Sequence, residues 1–275
     1  MNYKPYIPIP PELEPYRDRI EATIRPFIEI TIENNDQVDW WQSKFGGLPY
    51  LPKGFDYPKS SEGDYLFFIA QINFAEVPLL EGFPNQGIVQ FYISYEFPYG
   101  LNYKNQTDQS GFRVLYFEKP DLNIKNIIRN FDFLPKTETN IIDGCCSLNF
   151  TQKYAPISYS GINEIVANDY FDLLDTNEGI FDEYIKLSYS CRSKIGGYPD
   201  FVRTELIYTV HLEEKTTEFL RNAIEQDPEI LLFQMASESN DVLSINWIYS
   251  VCNFRILKDD LKKLDFSDII YDWEY

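Results

Sequence analysis

One histidine, His211, stands in the 275-residue sequence, between Val210 and Leu212. A Ser-His-Asp or Cys-His site would have to use it, yet no nucleophile-elbow pattern accompanies it. It reads as a packed or surface histidine, and its solitude excludes a metal centre built on several imidazoles. The four cysteines are Cys145, Cys146, Cys191 and Cys252, with no CxxC spacing, which argues against structural zinc. Asp175-Thr176-Asn177-Glu178-Gly179 opens like a calcium loop. Its glycine comes one position early and the distal glutamate does not fit, so it reads as a turn. The 43 acidic residues leave a carboxylate pair for acid–base work open. None is singled out, because the burial that tunes such a pair is not written in the sequence. No catalytic residue, metal or cofactor is assigned, and the reading leans away from an enzyme.

Charge carries more. The formal net charge is −19. Phosphate binding needs clustered Lys and Arg, so nucleic acid is an unfavourable ligand, while a basic protein partner is favoured. Between Gly161 and Ile185 there are seven acids and no base: Glu164, Asp169, Asp172, Asp175, Glu178, Asp182 and Glu183. With Tyr170, Phe171, Phe181 and Tyr184 among them, they form a candidate partner surface in which aromatics anchor and charge steers. A solvated acidic face is the alternative. No apolar run is long enough for a spanning helix. The opening Met1–Pro11 lacks the pattern of a signal peptide, so a reducing cytoplasm with free thiols is expected.

The most distinctive pattern is Ser-Lys-x-Gly-Gly-x-Pro, found at 43–49 and again at 193–199. Gly-Gly admits positive φ and Pro fixes the next φ, so a tight turn into an extended segment is expected rather than a phosphate cradle. Each motif precedes an apolar run that carries a glutamine, ending at Gln71 and Met235, and then another strand-like segment. That order predicts two diverged copies of one unit, residues 1–155 and 156–275, packed as one body. A cleft between the copies would be lined by Ser43, Gln71, Arg192, Ser193 and Gln234 and could take a small ligand or a substrate.

The elements that would position these groups follow from periodicity. A helix is expected over 11–24, with Leu13, Tyr16, Ile20 and Ile24 on one stripe and Pro26 ending it. Strands are expected at 27–32, 66–71, 88–95, 112–118, 201–210, 230–235 and 245–256, with a polar loop at 98–111. Residues 161–184 have helical spacing in part, a second helix starts at Thr216 or Thr217, and residues 120–160 give no clear pattern. The aromatic end from Asp265 to Tyr275 is expected to dock on the body. The class expected is α+β with largely antiparallel sheets.

The combination resembles the bacterial YwqG-like family, a domain of unknown function. The residues that carry the likeness are Ser43 to Pro52, Phe68 to Asn73, Lys194 to Pro199, Leu232 to Met235, Leu264 to Ser267 and Asp272-Trp273. Ser193 stands where the family usually has His. Met235-Ala236-Ser237-Glu238 and Trp247-Ile248-Tyr249 stand in place of an acidic turn and a Trp-Gly-Asp segment. The resemblance implies an α+β fold, a cytoplasmic bacterial setting and no agreed activity. An immunity-type role against a toxin is among the roles it implies.

Overall fold

A computed structural model describes residues 7–135, 141–157, 178–189, 191–200, 228–248 and 250–273. His211, the strand expected at 201–210 and the helix expected from Thr216 lie outside them. So do Glu164, Asp169, Asp172 and Asp175.

The chain enters through a 3-10 turn, Pro11–Tyr16, and a short helix α1, Arg17–Ala22. The single expected helix is thus split, because Pro15 interrupts the ladder of backbone bonds. Strand β1, Arg25–Ile32, follows, with Phe27, Ile28 and Ile30 buried. Pro26 sits in it without cost, exposed at an end that pairs β6 but lies beyond the span covered by β7. The next strands are β2 (Lys44–Gly46), β3 (Phe67–Asn73), β4 (Ile88–Ile93) and β5 (Phe112–Phe117). Then come β6 (Ile142–Ala155), helix α2 (Glu178–Ser188), β7 (Lys194–Gly196) and β8 (Glu229–Ala236). The chain closes with β9 (Glu238–Ser239), β10 (Leu243–Ile245), β11 (Val251–Leu257), helix α3 (Lys258–Lys263) and β12 (Ile269–Trp273).

The strands form one antiparallel sheet in the order β12-β11-β8-β7-β1-β6-β2-β3-β4-β5, with the β9–β10 hairpin attached to β6. Strand β6 joins three ladders: residues 142–144 meet β10, 145–147 meet β2 and 148–155 meet β1. The sheet curls until its ends nearly meet. Phe91 of β4 lies 4.6 Å from Phe233 of β8 and 4.8 Å from Phe254 of β11, and Phe112 of β5 lies 4.9 Å from Tyr271 of β12. The 98–111 loop spans the seam. Trp273 Nε1 donates to Pro98 O, Gln109 Nε2 donates to Phe266 O and Ser267 O, and Tyr271 N donates to Gln106 O. A sheet that closes this far leaves little unpaired edge.

The expected fold class is therefore corrected. Among the described residues the molecule is mostly antiparallel sheet in a nearly closed, barrel-like arrangement, with short helices on its outside. Two copies of one unit are not shown, because a single sheet and a single main core run through both halves. The physical reason is β6: a 14-residue strand in the stretch without a clear pattern binds β1 and β2 and makes the sheet continuous. Its solvent-facing polar residues break the alternation that would announce a strand.

Candidate functional site

Strands β3, β4 and β8 are buried on both faces. Their inner sides line the core. Their outer sides carry polar residues, which need partners there because burying an unpaired amide costs about 1–3 kcal/mol. Those partners come from the segments that follow the two Gly-Gly turns.

After Lys44, the turn uses Gly46 and Gly47 at φ +65° and +70°, and the chain folds back over the sheet. Gln71 pins it. Its Oε1 accepts from Tyr50 N at 2.9 Å and from Gln90 Nε2 at 2.8 Å, and its Nε2 donates to Trp40 O and Gln42 O, each at 2.8 Å. Gln90 Nε2 also donates to Tyr50 O at 2.6 Å. Ser43 Oγ accepts from Asn73 N at 2.9 Å. Lys44, almost fully buried, donates to Asp39 O and Leu48 O. Burial pushes its ammonium down to about 8, against the pull of the Cys145, Asp39 and Glu76 side chains.

The second turn repeats this local geometry with different chemistry. Gly196 and Gly197 have φ +72° and +70°. Gln234 Oε1 accepts from Asp200 N at 2.8 Å, and its Nε2 donates to Arg192 O at 2.8 Å and Asp200 Oδ2 at 2.7 Å. Lys194 Nζ meets the same Oδ2 at 2.8 Å in a buried ion pair. Asn253 Nδ2 donates to Asp200 O and to Asp272 Oδ1, and Asp272 pairs in turn with Arg255. Asp200 Oδ1 and Asn253 Oδ1 are buried without a hydrogen-bond partner. Ser193 Oγ donates to Glu238 Oε1 at 2.6 Å and accepts from Ala236 N. Burial raises the Glu238 carboxyl above its ordinary value.

Of the five residues expected to line a cleft, the structure places Ser43 with Gln71 and Ser193 with Gln234, in two separate clusters. Gln71, Gln234, Ser43 and Ser193 are buried, and Arg192 is exposed, contributing its carbonyl to the second cluster. No hydrogen bond between the described residues joins the clusters. Both glutamines mainly hold backbone, a role that also explains why the motif needs Gly-Gly and a strand glutamine together. Of the acidic surface, Glu178 opens α2, Asp182 is exposed and Glu183 pairs with Lys186 at 2.7 Å. All four cysteines are free, and Cys146 is buried with its thiol pushed up to about 12.

The open concavity lies elsewhere, on the outer side of β5. The hairpin 58–66 forms one wall, closed by Leu66 N donating to Pro58 O and Ser60 N donating to Asp64 O, its tip tied by Ser61 N to Ser110 O. The other wall is 127–134, held to the first turn's segment by Ile128 N donating to Leu51 O. Between them is a cavity of about 670 Å³ lined by Phe55, Tyr57, Tyr65, Phe133, Lys59 and Arg113 among others. Its aromatics brace one another: Tyr57 lies 5.8 Å from Tyr65 and 5.7 Å from Phe133, and Tyr65 lies 5.2 Å from Phe133. Lys59 Nζ sits 4.5 Å over the Tyr65 ring. Tyr65 and Phe133 also border a second hollow of about 940 Å³ that carries Tyr95, Phe97 and Tyr103, so the two make one groove. Sequence reasoning did not find this groove. Its signal was available in Phe55, Tyr57 and Tyr65, three aromatics set among Pro52, Gly54, Pro58 and Gly63 in a loop.

A nearly closed antiparallel sheet with two glutamine-pinned turns and an aromatic groove on its outer face defines the class of this protein. The chain belongs to the family described as a domain of unknown function (DUF1963), which matches residues 43–274. No curated protein matches the sequence.

Proposed function

We propose that this protein is a YwqG-like member of its family and acts by binding, with the groove beside β5 as its ligand site. The observation that carries this is the groove itself, a concave surface in which several aromatic rings stay accessible on rigid walls. Exposed aromatics on pinned loops bind at little entropic cost, because their rotamers are already held by neighbours. The ligand is a small organic molecule with a flat or apolar body, since rings at 5–6 Å spacing offer stacking faces. The site is thereby moved from the space between the two halves, where the side chains are buried, to the outside of the first half.

The uncharged fluorophore N-phenyl-1-naphthylamine tests this. It is expected to brighten on binding the native chain, and the double variant Tyr65→Ala, Phe133→Ala is expected to weaken it at least about tenfold, the cost of two lost ring contacts. Equal binding by both chains would defeat the groove as the site.

A second reading keeps a basic protein partner on the acidic stretch, in a cytoplasmic setting. It rests on the net charge of −19 and on exposed Asp182 of α2. A pull-down whose yield ignores both salt and charge reversal at Asp172, Asp175 and Asp182 would remove it.

A further inference from the structure

Arg113 stands in the groove wall on β5, opposite Tyr92 in the ladder. Its Nη2 donates to Gln109 O at 3.2 Å, and its Nε, buried from solvent, has no hydrogen-bond partner. It forms no ion pair with any described residue. Lys59, across the same cavity, forms none either and rests on the face of Tyr65. Among the described residues Asp56 is the only carboxylate lining that cavity and it pairs with neither cation, while Glu62, Asp64 and Glu96 lie in the adjoining hollow. Two cations without an ion-pair partner among the described residues thus share one aromatic cavity.

An arginine whose Nε is shielded and unanswered has lost part of its hydration, which favours a charge-assisted contact at its remaining guanidinium donors. A guanidinium presents paired donors whose spacing matches the two oxygens of a carboxylate or one face of a phosphate or sulfonate. A lysine held over a ring keeps its remaining donors free for a second oxygen. The aromatic floor takes the rest of the molecule.

We propose that the groove binds an organic oxyanion, a carboxylate- or phosphate-type head on an aromatic or apolar body, with Arg113 holding the head and Lys59 assisting. This rests on the groove being the ligand site, and it adds the chemistry of the ligand. The protein as a whole, at −19, repels anions, so binding here reflects the local pair of cations and not the general field.

The test uses two probes that share one chromophore, 8-anilinonaphthalene-1-sulfonate and the uncharged N-phenyl-1-naphthylamine. The native chain is expected to bind the sulfonate about tenfold more tightly than the uncharged probe, as a charge-assisted contact in a shielded site allows. Arg113→Gln is expected to abolish that preference, and Arg113→Lys to retain part of it. Lys59→Gln should reduce the preference to a smaller extent. A circular-dichroism melt of each variant separates these effects from unfolding. Equal affinity for both probes in the native chain, or a preference that survives in folded Arg113→Gln, would overturn the oxyanion inference and leave the groove standing. Binding of both probes that ignores Tyr65→Ala, Phe133→Ala would overturn the groove itself.

Discussion

At the scale of single residues, buried polar side chains explain most of what the sequence motif is for. Gln71 makes four hydrogen bonds, and three of them go to backbone groups of the segment it pins. Gln71→Leu keeps the volume but strands those groups, so it is expected to cost at least about 3 kcal/mol in urea unfolding. Lys44 makes a different prediction. Its folded value, near 8, lies below the ordinary 10.5, so between those pH values the unfolded chain binds more protons than the folded one. Stability from this group therefore rises as pH climbs from about 8 to about 10.5 and is flat below 8. Lys44→Met is expected to lose that rise, seen as a difference between the two chains' stability–pH curves. A constant difference across the window would show the amine to be ordinarily solvated.

At the scale of elements, the two Gly-Gly turns act as hinges that reverse the chain onto the outer face of the sheet. Gly46 is constrained twice. It needs φ +65°, and a Cβ there would come 2.2 Å from Gly144 O on the neighbouring β6. Gly46→Ala is expected to cost more than about 3 kcal/mol, since the carbonyl is part of a strand and cannot give way. Gly54, at φ +83° with nothing within 4 Å, is the control, and Gly54→Ala should cost only about 1–2 kcal/mol from the backbone alone. Thermal melts of the pair measure the difference. Comparable losses in both would mean that conformation alone, without the close approach to β6, sets the cost. The elements themselves were legible in proportion to their burial pattern. The runs at 66–71, 88–95, 112–118 and 230–235 read as strands because both faces or alternate positions are apolar, and they fall at β3, β4, β5 and β8. The segment expected at 245–256 divides into β10 and β11, because the chain turns after Ile245, with Ile248 at φ +55°. Helix α3 escaped notice, since six residues with Leu261 alone buried give no periodic stripe.

At the scale of the molecule, the core is shared between strands far apart in the sheet order. Phe254 is its junction, 4.8 Å from both Phe91 and Tyr271 and 6.2 Å from Phe112. Phe254→Ala is expected to cost about 3–5 kcal/mol, and urea unfolding should keep a single transition when followed by both near-ultraviolet and far-ultraviolet dichroism. Two separated transitions would show that the halves 1–155 and 156–275 fold as independent bodies.

What could be read from the sequence alone was whatever depends on neighbours along the chain. The doubled Ser-Lys-x-Gly-Gly-x-Pro motif predicts a turn because Gly and Pro act on their own dihedrals, and both turns have that geometry. The alternation of Phe and Ile predicts strands because side chains on a pleat alternate by construction. The order of the strands, the closure of the sheet and the groove were decided by tertiary structure. Polar-faced β6 pairs with β1, β2 and β10 through backbone bonds that leave no mark on side-chain type. Ser43 and Ser193 look alike in sequence, yet which group each one meets depends on strands 30 to 45 residues away. Arg113 and Lys59 are more than fifty positions apart, and only the fold of the 58–66 hairpin against β5 sets them across one cavity.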